Sequence, residues 1–511
     1  MTTDEKTTTF GDKLKMQYAM LPIRGINLLL KLLYRFRIEG RENVPEDGPV
    51  IILYSEPSLL TTLLEASVTP TFFGKLYLDG KVLNLVGEEL WNIEFFRKNF
   101  DSVAPTVPSQ PHGGGLLGLG LLEAINYLNR GGVFLTNPDG DMARDGRPMP
   151  MGRGAAWVGL HTAAPMVPIV PAISLYDTWP PWKFLPSLRG RVIQRVGKPF
   201  KVAEEPVRSV GEEAVAKANA RIAAEIERLT YGPGGVAEWA GPPKKNGKPL
   251  EEPADLLRAA ADQVVVAESP PVVGAGDGNG SMISNWKRGL PLLLWRCPVC
   301  LTNDALLYKH RRFGPDRLRC QACDTRWTVH REYGKDFRLK VVEGPPDLLD
   351  LDMALTTWYD EMKRDFQPSP IPASGLDLEP GEEVYLRTGG VKLVPYRSNP
   401  LFDSWTGREP PKDRVLRRSE AGQYGTLGVG ELLLTNRRLV WEGPEGGLDF
   451  WLKHFTDVTL RLFFQMKINY EATPYRFEFT EDTGLKWLTY VATVVQEPAA
   501  EMGRQVTLSR Y

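Results

Sequence analysis

The sequence lacks an excess of either charge. Its 62 basic residues face 63 acidic ones, for a net charge of -1, so nothing in the bulk composition draws the chain toward nucleic acid or an anionic membrane. Any such attraction has to come from a local patch. Also missing is an uncharged apolar run of the roughly 18 residues that a spanning helix requires, so an integral membrane protein is not expected. The opening stretch MTTDEKTTTFGDK contains acidic residues and no apolar core, unlike a secretory signal, and secretion is not expected either. No internal repeat is visible. Cysteine is scarce: the chain has four, all within two short knuckles. What is present is an ordinary globular composition, 42% hydrophobic and 24% charged, over 511 residues, a length that predicts several domains.

One local patch lies near the start, in LPIRGINLLLKLLYRFRIEG. Read as a helix, Arg24, Lys31 and Arg35 share a stripe, while Ile23, Ile26, Leu29, Leu30, Leu33 and Tyr34 cover much of the remainder. Two readings fit. One is an interfacial helix with its cations at lipid headgroups and its apolar face at the acyl boundary; the other is a first core helix with its cations in solvent. From Ile38 to about Tyr231, strand-like runs (PVIILY, GGVFLT, MVPIVPAISL, RVIQRVGKPF) alternate with helical ones (LLGLGLLEAINYLNR, RGAAWVGLHTAA, GEEAVAKANARIAAEIERL), the pattern of an α/β domain. Gly232 to Ser284 is rich in Gly, Pro, Ala and charge and reads as a linker broken by one short helix at ADLLRAAADQVVV. PPDLLDLDMALTTWYDEMKRDF predicts a single amphipathic connecting helix, and from Leu376 onward short alternating strands follow.

The cysteines form CPVC and CQAC: Cys297, Cys300, Cys320 and Cys323, with nineteen residues between the knuckles. Two such turns converging thiolates on one ion is the spacing of a tetrahedral zinc site, favoured over a disulfide pair or a redox role. Four sulfurs leave no open coordination position, so the zinc is expected to be structural. Lys309, Arg311, Arg312, Arg317 and Arg319 lie between the knuckles and Trp327 follows. Cations beside an aromatic could contact nucleic acid, but without a domain-wide basic excess a solvated hairpin is the better expectation. His310 and His330 are expected in solvent rather than on the metal.

The segment GGVFLTNPDGDMARDGRPMPMGRGAAWVGLHTAAPMVPIVPAISL orders a strand, a Pro-Asp-Gly turn, a Gly-rich helix start and a buried strand. Together with the lead-in IEGRENVPEDGPVIILY, it resembles the glycerolipid acyltransferases of the PlsC or lysophosphatidic acid acyltransferase kind, over about Leu21 to Tyr231. Their third motif, Pro-Glu-Gly-Thr-Arg-Ser-Arg, corresponds to Pro138 through Arg144, and their fourth to Val167 through Pro171. The resemblance implies transfer of a fatty acyl group from a thioester carrier, acyl-CoA or acyl carrier protein, to a glycerol-phosphate hydroxyl at a membrane surface. Asp139 and Gly140 would then shape the acceptor site, and Arg144 and Arg153 would hold phosphate.

The first motif of that family, Asn-His-x-x-x-x-Asp, falls on PVIILYSEPSLLTTLLEAS, where its three positions are Ser55, Glu56 and Thr61. The imidazole base and its orienting carboxylate are both replaced. The second motif should end in a phosphate-contacting Arg, and FDSVAPTVPS has none; in the third, Met142 takes the place of the first Arg. Glu56 is a weaker base than His by about two pKa units unless desolvation raises it. It serves either as a rebuilt base, with Ser55, Ser58 or Thr61 orienting it, or as a cap on the helix that begins there. His112, in SQPHGGGLLG, is a second substitute base or a solvated loop residue. His161 reads as a helix residue with a satisfied hydrogen bond.

Near the C-terminus, ELLLTNRRLVWEG alternates apolar and polar residues as a strand. The run Gly430, Leu432, Leu434, Thr435, Arg438, Leu439 resembles the hallmark of GRAM and bacterial PH-like domains, and YRFEFTEDTGLKWLTYV fits a hairpin of the same barrel. The resemblance implies lipid-headgroup or protein binding. Arg437, Arg438 and Lys453 make only a thin basic patch, so a barrel used for assembly fits equally.

The expected architecture is multidomain: an amphipathic helix over 1–37, an α/β acyltransferase-like domain over 38–231, a linker over 232–284, a four-Cys zinc ribbon over 285–340, a connecting helix over 341–374 and a β-rich GRAM/PH-like barrel over 375–500. The expected function is a catalytically impaired acyltransferase-like protein that binds lipid or scaffolds partners on the cytoplasmic membrane surface. The alternative is an active acyltransferase using Glu56 or His112. Phospholipid surface, acyl carrier and a protein partner are the expected contacts, and nucleic acid is not.

Overall fold

Strand β2 (Val50–Tyr54) reads Val-Ile-Ile-Leu-Tyr, and every residue in it is buried. A strand apolar on both faces suits the middle of a mostly parallel sheet. The computed structural model places it there. It describes residues 25, 28–29, 32–55, 81–87, 106–109, 116–140, 142–172, 178–183, 185, 187, 191–264, 286–311, 313–372, 375, 377–395, 427–444, 446–461, 463–471, 473–503 and 505–508. The chain divides into two compact units, one holding the described residues up to 239 apart from 181–185, the other holding 181–185 and those from 240 on.

In the first unit β2 is the central strand of seven. With β1 (Arg37–Glu39), β3 (Val82–Gly87), β4 (Thr106–Ser109), β5 (Val133–Thr136), β6 (Met166–Pro171) and β7 (Ile193–Val196), the order is β1-β7-β6-β2-β5-β3-β4. Strands β6, β2, β5, β3 and β4 run parallel, and β7 joins antiparallel to β6. Side chains alternate across the sheet. Ile51 and Leu53 face a core shared with helices α1 (Leu116–Asn129), α2 (Arg153–Thr162) and α3 (Glu212–Tyr231), while Val50, Ile52 and Tyr54 pack with Val133, Leu135, Val167 and Ile169 on the other face. These strands and helices fall where the apolar runs predict them.

The second unit opens within the stretch read as a linker. After helix α4 (Gly235–Ala240), β8 (Lys244–Lys245) and β9 (Lys248–Pro249) form a hairpin, then α5 (Pro253–Gln263) follows. Asn246 and Gly247 both have positive φ, 51° and 77°, the Asn-Gly turn that joins two strands most readily. The hairpin extends a sheet of order β10-β11-β12-β13-β14-β8-β9, with β10 (Leu306–Lys309), β11 (Asp316–Cys320), β12 (Arg326–His330), β13 (Arg338–Glu343) and β14 (Leu351–Ala354). The expected connecting helix is therefore only half helical. Asp350 turns the chain at φ 62°, β14 pairs with β13, and α6 (Leu355–Lys363) begins after it, Asp336 accepting from the Thr356 N–H and hydroxyl at 2.9 and 2.8 Å. Backbone pairing overrides helical periodicity here.

The C-terminal residues form an eight-stranded sheet from β15 (Val384–Pro395), β16 (Val429–Thr435), β17 (Arg438–Gly443), β18 (Gly446–Trp451), β19 (Phe455–Arg461), β20 (Gln465–Tyr470), β21 (Thr473–Phe479) and β22 (Thr507–Leu508), in the order β18-β17-β16-β15-β21-β20-β19-β22. The sheet curls on itself: Phe450 on β18 meets Tyr470, Tyr475 and Phe477 with ring centroids 5.4, 4.8 and 5.6 Å away. Helix α7 (Gly484–Val494) plugs the curl with nearly all of its side chains buried, and α8 (Gln496–Glu501) follows.

A buried charge joins this helix to the cysteine-bearing segment. The Lys486 ammonium on α7 lies 2.6 Å from Asp304 and 3.1 Å from Asp482, and Arg288 reaches Asp304 at 3.2 Å. Burial opposes the charge on Lys486, yet the two carboxylates hold its pKa above the ordinary value. Trp295, Phe366 and Tyr490 pack beside it, and Asn303 donates to the Tyr490 hydroxyl at 2.6 Å. Among the described residues, no helix is long and apolar enough to cross a membrane.

Replacing Lys486 by Met should destabilise the second unit by about 3–5 kcal/mol, because the buried Asp482 and the partly buried Asp304 would be left against one guanidinium. Urea unfolding of the variant reads this directly; a change below about 1 kcal/mol would show that the cluster is not the joint.

Candidate functional site

The parallel strands of the first unit end level. Leu53 lies beside Thr136, so Ser55, the next residue after β2, meets the turn that follows β5. The Ser55 hydroxyl donates to Asp139 Oδ2 at 2.9 Å, with both residues buried, across 84 positions of sequence. The carboxyl ends of parallel strands are where open α/β sheets place ligands, and here the first and third motif regions are in direct contact.

The loop from β5 to α2 is closed at its ends, where the Gly152 N–H donates to the Pro138 carbonyl at 2.6 Å. Gly140 stands at φ 59°, a conformation that favours glycine. Asp145 accepts from the Arg147 N–H and Nε at 3.0 and 2.6 Å. Helix α3 fastens the loop from outside, Asn219 donating to the Met151 carbonyl at 3.4 Å and the Tyr231 hydroxyl to the Gly146 carbonyl. Arg144 is buried within this loop, whereas Arg153 is exposed at the first turn of α2 and ion-paired with Glu212. Glu56, Ser58, Thr61 and His112 lie outside the described residues. Among the described residues of this unit the one imidazole is that of His161, packed edge-on against Trp157 at 4.2 Å.

The second site is the cysteine cluster. All four sulfurs lie within 4.8 Å of one another, with Cys297–Cys323 at 3.9 Å and Cys300–Cys320 at 3.6 Å. These separations are too long for disulfides. They bracket the edge of a tetrahedron with metal–sulfur bonds of about 2.3 Å, which is about 3.8 Å. Hydrogen bonds among the thiols hold Cys300 far below the ordinary thiol pKa and bring Cys323 down to about 7, while burial pushes Cys297 up and, against the one to Cys297, hydrogen bonds to Cys300 and Cys323 push Cys320 up. The donor set fits a thiolate-bound metal ion.

The two knuckles have the same build, which the residues singled out from sequence missed. Cys297 and Cys320 each donate their N–H, at 2.9 Å, to the carbonyl of a Thr five residues on, Thr302 and Thr325. Those Thr hydroxyls lie 3.3 and 3.1 Å from Cys300 and Cys323. Between Cys and Thr the chain passes through the left-handed region, at Leu301 (φ 57°) and Asp324 (φ 55°). The signal was present as a repeated C-x-x-C-x-T, in CPVCLT and CQACDT. Trp327 is fully buried, edge-on to Trp358 at 5.9 Å, so it offers no stacking platform, and His310 and His330 are exposed.

In the C-terminal sheet, ELLLTNRRLVWEG is two strands rather than one. Thr435 Oγ1 accepts from the N–H groups of Arg437 and Arg438 at 3.0 and 2.9 Å and turns β16 into β17. The hallmark arginine is spent internally: Arg438 binds Glu382 at 2.9 and 3.1 Å and Asp449 at 2.7 Å, while Arg437 pairs with Glu379 at 2.8 Å. The thin basic patch is thinner still, because two of its three cations are neutralised.

No family model matches the chain, and no curated protein matches it either. Among solved structures, the 1-acyl-sn-glycerophosphate (LPA) acyltransferase PlsC from Thermotoga maritima is 20% identical, covers 45% of this chain and 84% of its own, and has a TM-score of 0.30. The Vps36 N-terminal PH domain is 14% identical, covers 24% of this chain and 84% of its own, and has a TM-score of 0.16. Likenesses this distant assign no residue, and function has to be read from this chain's own side chains.

The Glu382 carboxyl is buried, which opposes its charge, but Arg438, the Glu379 N–H and Thr435 together hold its pKa below the ordinary value. Its contribution to stability is therefore complete above the unfolded pKa of about 4.3 and is lost as pH falls through the depressed folded value. Glu382→Gln should show a shallower loss of melting temperature than wild type below about pH 4.3. Identical acid sensitivity would mean that the pair does not titrate in this window.

Proposed function

We propose that the protein is a lipid-binding scaffold of the membrane surface, built on an acyltransferase-like α/β unit that no longer turns over a thioester. The observation that carries the membrane reading is the exposed apolar face of the N-terminal helix: Leu28, Leu29, Leu32 and Leu33 are 60, 54, 72 and 37% exposed. Four leucines at this spacing share one helical face, and burying their exposed surface at an interface is favourable, by a fraction of the roughly 1.5–3 kcal/mol of a fully exposed leucine for each. Arg24 and Lys31, the cations expected beside them, lie outside the described residues.

The loss of catalysis is inferred from the first-motif positions, where Glu56 and Thr61 replace the imidazole base and its orienting carboxylate. Ser55 and Asp139 hold one another, so Asp139 pins the β5–α2 loop to the end of β2. A hydroxyl and a carboxylate orient each other, and neither is the imidazole that the resemblance expects as base. Gly140 and Arg144 belong to the same loop. Arg153 is engaged by Glu212. The PH-like sheet and the cysteine module serve as the assembly surface for a protein partner, on the cytoplasmic face.

The metal is zinc, held by Cys297, Cys300, Cys320 and Cys323. It contributes folding energy through a closed four-thiolate shell and takes no part in chemistry. Elemental analysis should find about one zinc per chain. A chelator should lower the melting temperature of the intact protein, and an unchanged melting temperature after complete zinc removal would argue against a structural metal.

The direct test of function follows thiol release from a panel of acyl-CoAs with lysophosphatidic acid vesicles, for wild type, Glu56→Ala and His112→Ala, beside vesicle cosedimentation. The expected outcome is no turnover with binding retained. Turnover in wild type that disappears in either variant would make the protein an active acyltransferase with a rebuilt base.

A further inference from the structure

The cysteine-bearing sheet carries a cluster of cations that neither the metal site nor the fold uses. Along its exposed face most cations are matched: Arg319 and Arg326 pair with Asp324, Lys340 with Asp350 and Arg338 with Asp352. The β10–β11 hairpin is the exception. Lys309 and Arg317 stand directly opposite on the ladder, both exposed, and Arg311 follows in the turn. Among the described residues no carboxylate forms an ion pair with any of the three. Like charges placed directly across a ladder destabilise it, and an anion bound at this face would offset that repulsion.

At the tip of the same hairpin Phe313 is 80% exposed. The tip is built rather than slack. Asp316 accepts from the Arg311 N–H at 2.9 Å, contacts His310 Nδ1 at 2.9 Å and takes the Tyr308 hydroxyl, while Gly314 makes the turn at φ 85°. An aromatic ring is therefore held at the end of a braced arm with cations directly behind it.

We propose that this hairpin is a membrane-insertion tip, with Phe313 entering the interface of an anionic phospholipid surface and Lys309, Arg311 and Arg317 contacting its headgroups. This deepens the membrane-surface reading and rests on it. Charge complementarity selects the occupant, since juxtamembrane cations are attracted to anionic leaflets and aromatic rings favour the headgroup level. A single-stranded nucleic acid fits the arrangement less well. It requires a groove of cations tracking a backbone with successive aromatic platforms, whereas here the unmatched cations converge on one tip, and Trp327 is enclosed in the core.

The test uses the full-length zinc-loaded chain in cosedimentation with phosphatidylserine/phosphatidylcholine vesicles and with pure phosphatidylcholine vesicles. Variants are Phe313→Ala, Phe313→Trp, the pair Lys309→Gln with Arg317→Gln, and Leu28→Glu with Leu32→Glu at the N-terminal helix. Phe313→Ala should weaken partitioning onto anionic vesicles about tenfold, with Phe313→Trp retaining it. The double Gln variant should weaken it about 20-fold on anionic vesicles and leave binding to phosphatidylcholine alone unchanged. Zinc content and melting temperature serve as folding controls. If the leucine variants lose binding while the hairpin variants bind as wild type, the hairpin inference fails and the membrane reading stands. If wild type binds no vesicle, both fail. If the hairpin variants instead lose affinity for a fluorescent oligonucleotide, with vesicle binding intact, the tip is a nucleic-acid contact and the inference is overturned.

Discussion

A lysine ammonium enclosed by protein must keep its counterions or lose its charge, and Lys486 keeps two. Asp304 and Asp482 approach it to 2.6 and 3.1 Å, and Arg288 shares Asp304. The rest of the second unit depends on this group. Asp304 sits at φ 54° immediately after the first cysteine knuckle, its N–H bound to the Trp295 carbonyl at 2.8 Å. Whatever sets the knuckle therefore sets the carboxylate, the carboxylate sets α7, and α7 fills the curl of the C-terminal sheet. Removing Lys486 costs more than never having built the cluster, because Asp482 is buried and would be left without its cation. The four-cysteine segment and the β-rich module thereby belong to one compact unit.

The first unit uses a polar contact in the same way on a smaller scale. Ser55 and Asp139 are separated by 84 residues yet meet because parallel strands β2 and β5 end at the same height. Its hydrogen bond anchors a loop whose ends are also tied by Gly152 and Pro138. Arg438 completes the pattern. It occupies a position that reads as a ligand-binding cation, and it is consumed by Glu382 and Asp449 inside the unit. In each place a residue whose chemical type suggests binding is engaged by a partner distant in sequence.

The strands PVIILY, GGVFLT and MVPIVPAISL and the helices flanking them were legible because buried parallel strands are continuously apolar and amphipathic helices repeat at their own period. The cysteine cluster was legible because four thiols at knuckle spacing have few other uses. Less was visible where pairing decided the conformation. Leu351–Ala354 follows a helical pattern but is captured as a strand by β13. Lys244–Pro249 lies in a Gly/Pro-rich stretch that reads as linker, though its Asn-Gly turn announced the hairpin. ELLLTNRRLVWEG alternates like one strand, and only the Thr435 hydroxyl, folding back on two N–H groups, shows where it turns.

By itself the sequence determined which segments are apolar and with what period, and which four sulfurs can share an ion, since these properties belong to side chains read one at a time. The tertiary structure decided which charges are available and which are consumed. Arg153, Arg437 and Arg438 find carboxylates, and Lys309 and Arg317 are placed opposite each other at a hairpin with an exposed ring at its end. The reason is physical: a charge is neutralised by whatever the fold brings within a few ångströms, and that distance is not a property of the sequence interval between two residues.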